Sequence, residues 1–260
     1  MFTVTYAQLN AWLTAFLWPF TRIVALVAAS PVFGHTSVPA RIKIALAAFI
    51  TLIVAPTLPA MPQATVFSAT GVWIMVTQLL IGAALGFTMQ VVFAAVEMAG
   101  SLVGLQMGLG FATFFDPGSD ASSQVISSFL NVVATLAFLA YNGHLQVIAA
   151  LIESFQSVPI ASAALGPPGL NTLAQWGGAI FTAGLLLSLP VVIALLIASL
   201  SLGILNRAAP QIGVFQIGFS VTLMVGMLLL MLMLPNMIPF FAHLVDTGID
   251  EMGRVAAALR

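Results

Sequence analysis

The sequence contains no cysteine, and charge is almost as scarce: 5% of its 260 residues are Asp, Glu, Lys or Arg. Without cysteine there is no disulfide, no thiol chemistry and no cysteine-based metal site. A soluble domain carries roughly 25% charged residues, so a conventional water-facing surface is excluded. The net charge of -1 offers no basic patch to a nucleic acid. His35, His144 and His243 are scattered, with no HExxH or comparable ligand spacing. Walker A, GxSxG and GxGxxG motifs are missing too. Asp116 and Asp120 are separated by Pro-Gly-Ser, which is turn and cap chemistry rather than an acid/base pair. No enzyme, cofactor or metal site is expected.

Basic residues are missing altogether between Lys43 and Arg207. The positive-inside rule then rests on Arg41, Lys43 and Arg207 on one side and Arg254 and Arg260 on the other. That distribution favours six spans with both termini outside. The first ten residues hold no Lys or Arg, so the basic region of a signal peptide is lacking. The first apolar segment is expected to stay as a helix.

What the chain has in abundance is apolar sequence. Hydrophobic residues make up 61% of it and recur in runs of about 20. The expected class is an all-α, polytopic integral membrane protein built of long kinked helices and helical hairpins. Segment 9–29 holds Trp12, Trp18, Pro19 and Arg22. Pro19 should kink it. Arg22 would cost about 2.5–3.5 kcal/mol at a helix centre in lipid, so it should face protein or water.

A loop at 30–43 leads to a second helix, 42–58, which ends in the Pro56, Pro59, Pro62 cluster. The third helical segment, 72–103, would run to about 45–50 Å, beyond the ~30 Å hydrocarbon core. It must tilt, break or protrude. Gly82 and Gly86 form one GxxxG pair, and Gly100, Gly104 and Gly108 continue the spacing. Such small residues suit either internal helix packing or a contact face for partner helices. Glu97, on the same segment, should face protein or a watery lumen.

The next helix covers 125–141, followed by a turn at Asn142-Gly143-His144 with a hydrogen-bonded His144. The amphipathic piece 145–155 is too short to span. Residues 157–175, with four prolines and glycines in succession near 166–169, read as a loop and a domain-like boundary. Segments 176–205 and 215–241 form a hairpin around the polar turn 206–213. Its second arm should end at Pro235 and Pro239. The tail 243–260 sets Val245, Ile249, Met252, Ala256 and Leu259 on one face, as for a membrane surface or a partner. Met224, Met227, Met231, Met233 and Met237 supply flexible packing or an adaptable surface.

The central stretch 104–120, GLQMGLGFATFFDPGSD, is neither membrane helix nor polar surface loop. Its glycines each cost about 1 kcal/mol in a helix interior. Phe111, Phe114 and Phe115 crowd rings into this backbone, and Asp116-Pro117-Gly118 is a turn. At membrane depth such a loop must be buried in protein or line a water-filled cavity. Composition alone leaves two classes level: a small-molecule or ion transporter, using Glu97, Glu153 and Arg22, and a subunit of a membrane complex.

Three stretches separate them. SPVFGHTSVPARIKIALA at 30–47, GLQMGLGFATFFDP at 104–117 with NGH at 142–144, and LGILNRAAPQIGVFQIGF at 202–219 together resemble the FliR family of flagellar export-gate proteins, called SctT in injectisomes. Ile212-Gly213 and Ser220 depart from the usual Leu-Asn and Pro of that pattern. The resemblance implies a FliP-like part, 1–170, a FliQ-like hairpin, 171–241, and the amphipathic tail 242–260. It implies assembly with FliP, FliQ and FlhB in the bacterial inner membrane at the flagellar basal body, with membrane lipid around the gate. Unfolded flagellar proteins would pass through.

By the same resemblance, Gly108, Leu109, Gly110, Phe111, Ala112, Thr113, Phe114, Phe115, Asp116 and Pro117 form the plug loop of the channel. Its phenylalanines would block an aqueous lumen by apolar packing or dewetting, or else pack the loop on neighbouring helices. Gly82, Gly86, Gly100 and Gly104 would serve subunit packing. The tip Asn206, Arg207, Pro210 and Gln211 would lie at the cytoplasmic entrance near FlhB, or be a plain turn with Arg207 as topology anchor.

Overall fold

A computed structural model describes residues 5–59, 61–62, 64–111, 121–161, 166–208 and 214–260. All the regular structure among them is helical. Helix α1 (Tyr6–Ala29) opens with a capping box: Thr5 Oγ1 accepts from the Gln8 N–H and Gln8 Oε1 from the Thr5 N–H. Pro19 stands inside it. At its end Ser30 Oγ donates to the Leu26 carbonyl at 2.7 Å. Lys43 Nζ ties the loop that follows, donating to the Gly34 carbonyl at 2.7 Å. Helix α2 (Ala40–Val54) runs into a short 3-10 turn, Ala55–Thr57.

Helix α3 (Ala69–Gln106) is 38 residues long, about 57 Å at 1.5 Å per residue. A second 3-10 turn, Leu109–Phe111, follows it. Then come α4 (Ala121–Ala140), α5 (Gly143–Ser157), α6 (Pro167–Gly177), α7 (Ala179–Ala208) and α8 (Val214–Ala258). Among the described residues, five helices are long and apolar enough to cross a membrane, or six if α4 and α5 together count as one broken span. The protein is an all-α, polytopic membrane protein.

The chain forms two compact units, each discontinuous in sequence. The first comprises Met1–Val91, Asn142–Gly177 and Asp246–Arg260, the second Val92–Tyr141 and Gly178–Val245. In the first unit α1 and the start of α3 run parallel. The Asn10 side chain donates to the Ala64 carbonyl. Further along, Gly82 lies against Arg22 and Ala25, and Gly86 against Leu26 and Ala29. A side chain at Gly82 would fall on the Arg22 carbonyl oxygen, with the Ala25 Cβ 2.9 Å away. Trp176 Nε1 of α6 donates to the Thr88 carbonyl of α3 at 3.0 Å.

The second unit is arranged around the end of α3. Phe93 meets Phe138 of α4 and Phe241 of α8 edge to face, at 5.6 and 5.5 Å. Gly100 touches the Ser127 backbone of α4, and Gly184 of α7 lies against Ala95 and Met98. The apolar span of α3 is 67% buried within the chain, against 28% for the span that includes α7 and 11% for that of α8. Ile193, Ile197, Leu200 and Ile204 on α7, and Met224, Leu228 and Met231 on α8, remain exposed.

Three sequence expectations are corrected. Of the loop expected at 157–175, 158–161 are non-helical and 162–165 lie outside the described residues, but the part from Pro167 on forms helix α6, because Pro167 stands at its first position, where its missing N–H removes no hydrogen bond. Pro235 and Pro239 do not end α8, which continues to Ala258. In apolar surroundings helices tolerate prolines because neighbouring groups and local adjustments satisfy the freed carbonyls. The tail is no free amphipathic surface either. Met252, Val255, Ala256 and Leu259 are buried, the Gly166 N–H donates to the Leu259 carbonyl, and Gly169 abuts Leu259.

Gly82→Ala should lower stability by about 1–3 kcal/mol, since backbone atoms cannot move aside cheaply. Gly203→Ala and Gly253→Ala, where an added Cβ meets nothing within 4 Å, should gain up to about 1 kcal/mol from helix propensity. Thermal unfolding of the detergent-solubilised protein checks both signs.

Candidate functional site

The central loop leaves the helical structure at Gly108. That residue has φ 87°, in the left-handed region that glycine adopts at no steric cost. Its N–H donates to the Leu105 carbonyl at 3.0 Å, and the chain closes the turn through Leu109–Phe111. Ala112, Thr113, Phe114, Phe115, Asp116 and Pro117 lie outside the described residues. So do Pro210 and Gln211 of the hairpin tip, whereas Asn206 and Arg207 are exposed in the last turn of α7. A cation there complements the helix dipole.

The loop springs from a clamped base. The single hydroxyl proton of Thr222 on α8 is shared between the Met107 carbonyl at 3.2 Å, an acceptor that the end of α3 would leave open, and the Gly218 and Phe219 carbonyls of its own helix at 3.0 and 3.1 Å. Met107 is buried, and its side chain fills the notch left by Gly226 one turn further along α8. On the return side, the hydroxyls of Ser101 and Ser127 are 2.9 Å apart and join α3 to α4. The outgoing end of the loop is thus held against α8, and the helix that follows it is joined to α3, within one compact unit.

The predicted packing glycines act inside the chain. Gly82 and Gly86 receive α1 and Gly100 receives α4, while Gly104 is buried. The internal-packing alternative is the one these contacts favour. Glu97 and Glu153 are exposed on their helices. Arg22 faces protein, as its cost in lipid requires: it is fully buried among Gln78, Ser154, Phe155 and Val158. His144 differs from expectation. Asn142 takes φ 56° without a side-chain cap, and His144 Nδ1 is buried with no hydrogen-bond partner among the described residues. No group of three or more His, Asp or Glu among the described residues could hold a metal ion.

The Thr222–Met107–Gly226 clamp is invisible at sequence level. Thr222 and Gly226 read as ordinary small residues in a methionine-rich helix. Only the pairing of α3 with α8 gives them a role.

An all-α membrane protein with a glycine-broken loop clamped at the end of its central helix is the class these features define. The family model described as bacterial export proteins, family 1, matches residues 13–248. The flagellar biosynthetic protein FliR of Pectobacterium carotovorum subsp. carotovorum is 44% identical over 259 residues, 100% of this chain and 99% of the relative. That of Escherichia coli (strain K12) is 45% identical over 244 residues, 94% and 93% of the two chains. The Bacillus subtilis (strain 168) protein of the same name is 29% identical over 249 residues, 94% and 95% of the two chains. The chain belongs to the FliR family of bacterial export proteins.

Thr222→Val removes the shared hydrogen bond to Met107, worth at most about 1 kcal/mol. Hydrogen exchange in peptides covering 101–111 should then accelerate up to about fivefold. Thr182→Val, whose hydroxyl bonds only within its own helix start, should leave it unchanged.

Proposed function

We propose that the chain is a non-enzymatic, pore-forming subunit of the flagellar type III export gate. It would pass unfolded flagellar proteins across the bacterial inner membrane at the basal body. Its partners would be FliP, FliQ and FlhB, with lipid at the gate's periphery. The observation that carries this reading is the family match along nearly the whole chain, from 13 to 248. The relatives' shared name attaches that family to flagellar biosynthesis.

The fold supports the reading in two ways. Apolar faces as extensive as those of α7 and α8 require lipid or other subunits to cover them. A hairpin with so little of its surface buried in its own chain suits a part that completes a larger assembly. Second, the 108–117 loop starts from a base held by Thr222 and Gly226. Rings carried on a glycine-loosened segment with a fixed base can block an aqueous lumen by dewetting and yield to a polypeptide. Phe111, Phe114 and Phe115 would form that barrier, and Asp116-Pro117 its base. The tip Asn206, Arg207, Pro210 and Gln211 would face the cytoplasmic entrance near FlhB.

Replacing 108–117 with a shorter flexible linker tests the seal. Assembly with FliP and FliQ together with ion leakage across the inner membrane is the expected result. Tight membranes with normal swimming would reduce the loop to packing. Failure of the unaltered chain to co-purify with FliP and FliQ would overturn the gate assignment itself.

A further inference from the structure

Helix α5 spans 15 residues, about 22 Å, short of the ~30 Å hydrocarbon core. Its buried face, Gly143, Val147, Leu151, Ser154 and Phe155, follows helical spacing right up to its end. The final carbonyls of such a helix have no partner within it, and burying them bare is costly. Here the Val158 N–H donates to the Ser154 carbonyl at 2.9 Å, and α1 supplies a second donor to that carbonyl and one to the Val158 carbonyl just beyond the helix. Arg22 Nη1 donates to the Ser154 carbonyl at 2.9 Å and to Ser154 Oγ at 3.2 Å. Nη2 donates to the Val158 carbonyl at 2.8 Å, and Nε to Gln78 Oε1 of α3 at 2.8 Å. The guanidinium also lies 4.3 Å over the Phe155 ring.

All of these acceptors are neutral, and Arg22 is fully buried. What balances the cation is the negative end of the α5 dipole, the quadrupole of Phe155 and the amide oxygen of Gln78. We propose that Arg22 is the C-terminal cap of α5: a cation supplied by α1 that fixes where this short helix ends inside the apolar layer. The role is one of position, and it needs the planar fork. Two of its nitrogens reach carbonyls four residues apart on one helix end, a geometry that the point charge of lysine cannot reproduce.

The chain's lack of cysteine makes a thiol probe unambiguous. Ser157→Cys places a reporter at the half-buried end of α5, and Thr88→Cys a second on the fully buried stretch of α3. Each is read in full-length protein in native membranes by its rate of maleimide labelling. Arg22→Met should raise the rate at the Ser157→Cys reporter about tenfold, and Arg22→Lys by less, while the Thr88→Cys reporter stays protected. Equal rates at the Ser157→Cys reporter with Arg22, Lys and Met would overturn the proposal. A parallel rise at both reporters would also overturn it, as general loosening. If the Arg22→Met chain does not accumulate in membranes, the same comparison with Arg22→Lys decides.

Discussion

A guanidinium with no access to water constrains everything around it. The effective cost of desolvating such an ion is several kcal/mol, even after relaxation. That cost is offset only if every nitrogen finds an acceptor, and around Arg22 each of the three does. The acceptors come from positions 56, 132 and 136 residues further along the chain. One residue of α1 thus demands that α3 and α5 be in place together. Until they are, α1 carries an unsatisfied charge in its apolar stretch, and a partly folded intermediate holding α1 alone in lipid is disfavoured. The first compact unit, discontinuous in sequence, is what that demand looks like once it is met.

The same unit shows how α1 and α3 come close enough for Arg22 to reach Gln78. Lipid is as apolar as leucine, so burial gives little drive to pair helices in a membrane; close packing and polar contacts must supply it. Gly82 and Gly86 let the α1 backbone approach to a distance that any side chain would block. Gly100 serves α4 likewise, and Gly184 and Gly226 cut matching notches into α7 and α8 within the second unit. The overlong α3 is therefore spent mostly inside protein. Its residues are divided between the two units, 69–91 in the first and 92–106 in the second.

Features set by local chemistry were readable from the sequence, whereas those set by pairing were not. Apolar runs gave the class, the glycine spacing gave close helix approach, and the cost of a charge in lipid placed Arg22 against protein. The turn at Gly108 was marked by its glycine. Prolines misled twice, because a sequence rule cannot tell a helix start from a loop at Pro167, nor a tolerated proline from a terminator at Pro235 and Pro239. The regular apolar face of the tail points to a membrane surface or a partner, and Leu259 on it is covered by the chain's own Gly166 and Gly169. Thr222 and Gly226 carried no signal at all. Their meaning lies in Met107, more than a hundred residues away.

On the gate reading, the clamp at Met107 has a further consequence. A barrier against small ions must hold to within the size of a water molecule, whereas a barrier that yields to a polypeptide must open by several times that. One rigid body cannot do both, and a loop loose at its base cannot do the first. A buried methionine in a glycine notch, within reach of the Thr222 hydroxyl, would on that reading keep the packed helices out of any opening. The positive φ at Gly108 is where a rigid helix can hand over to such a segment without strain. Sealing and yielding would then fall to adjacent parts of the chain, and the packed helices would not have to unpack for a substrate to pass.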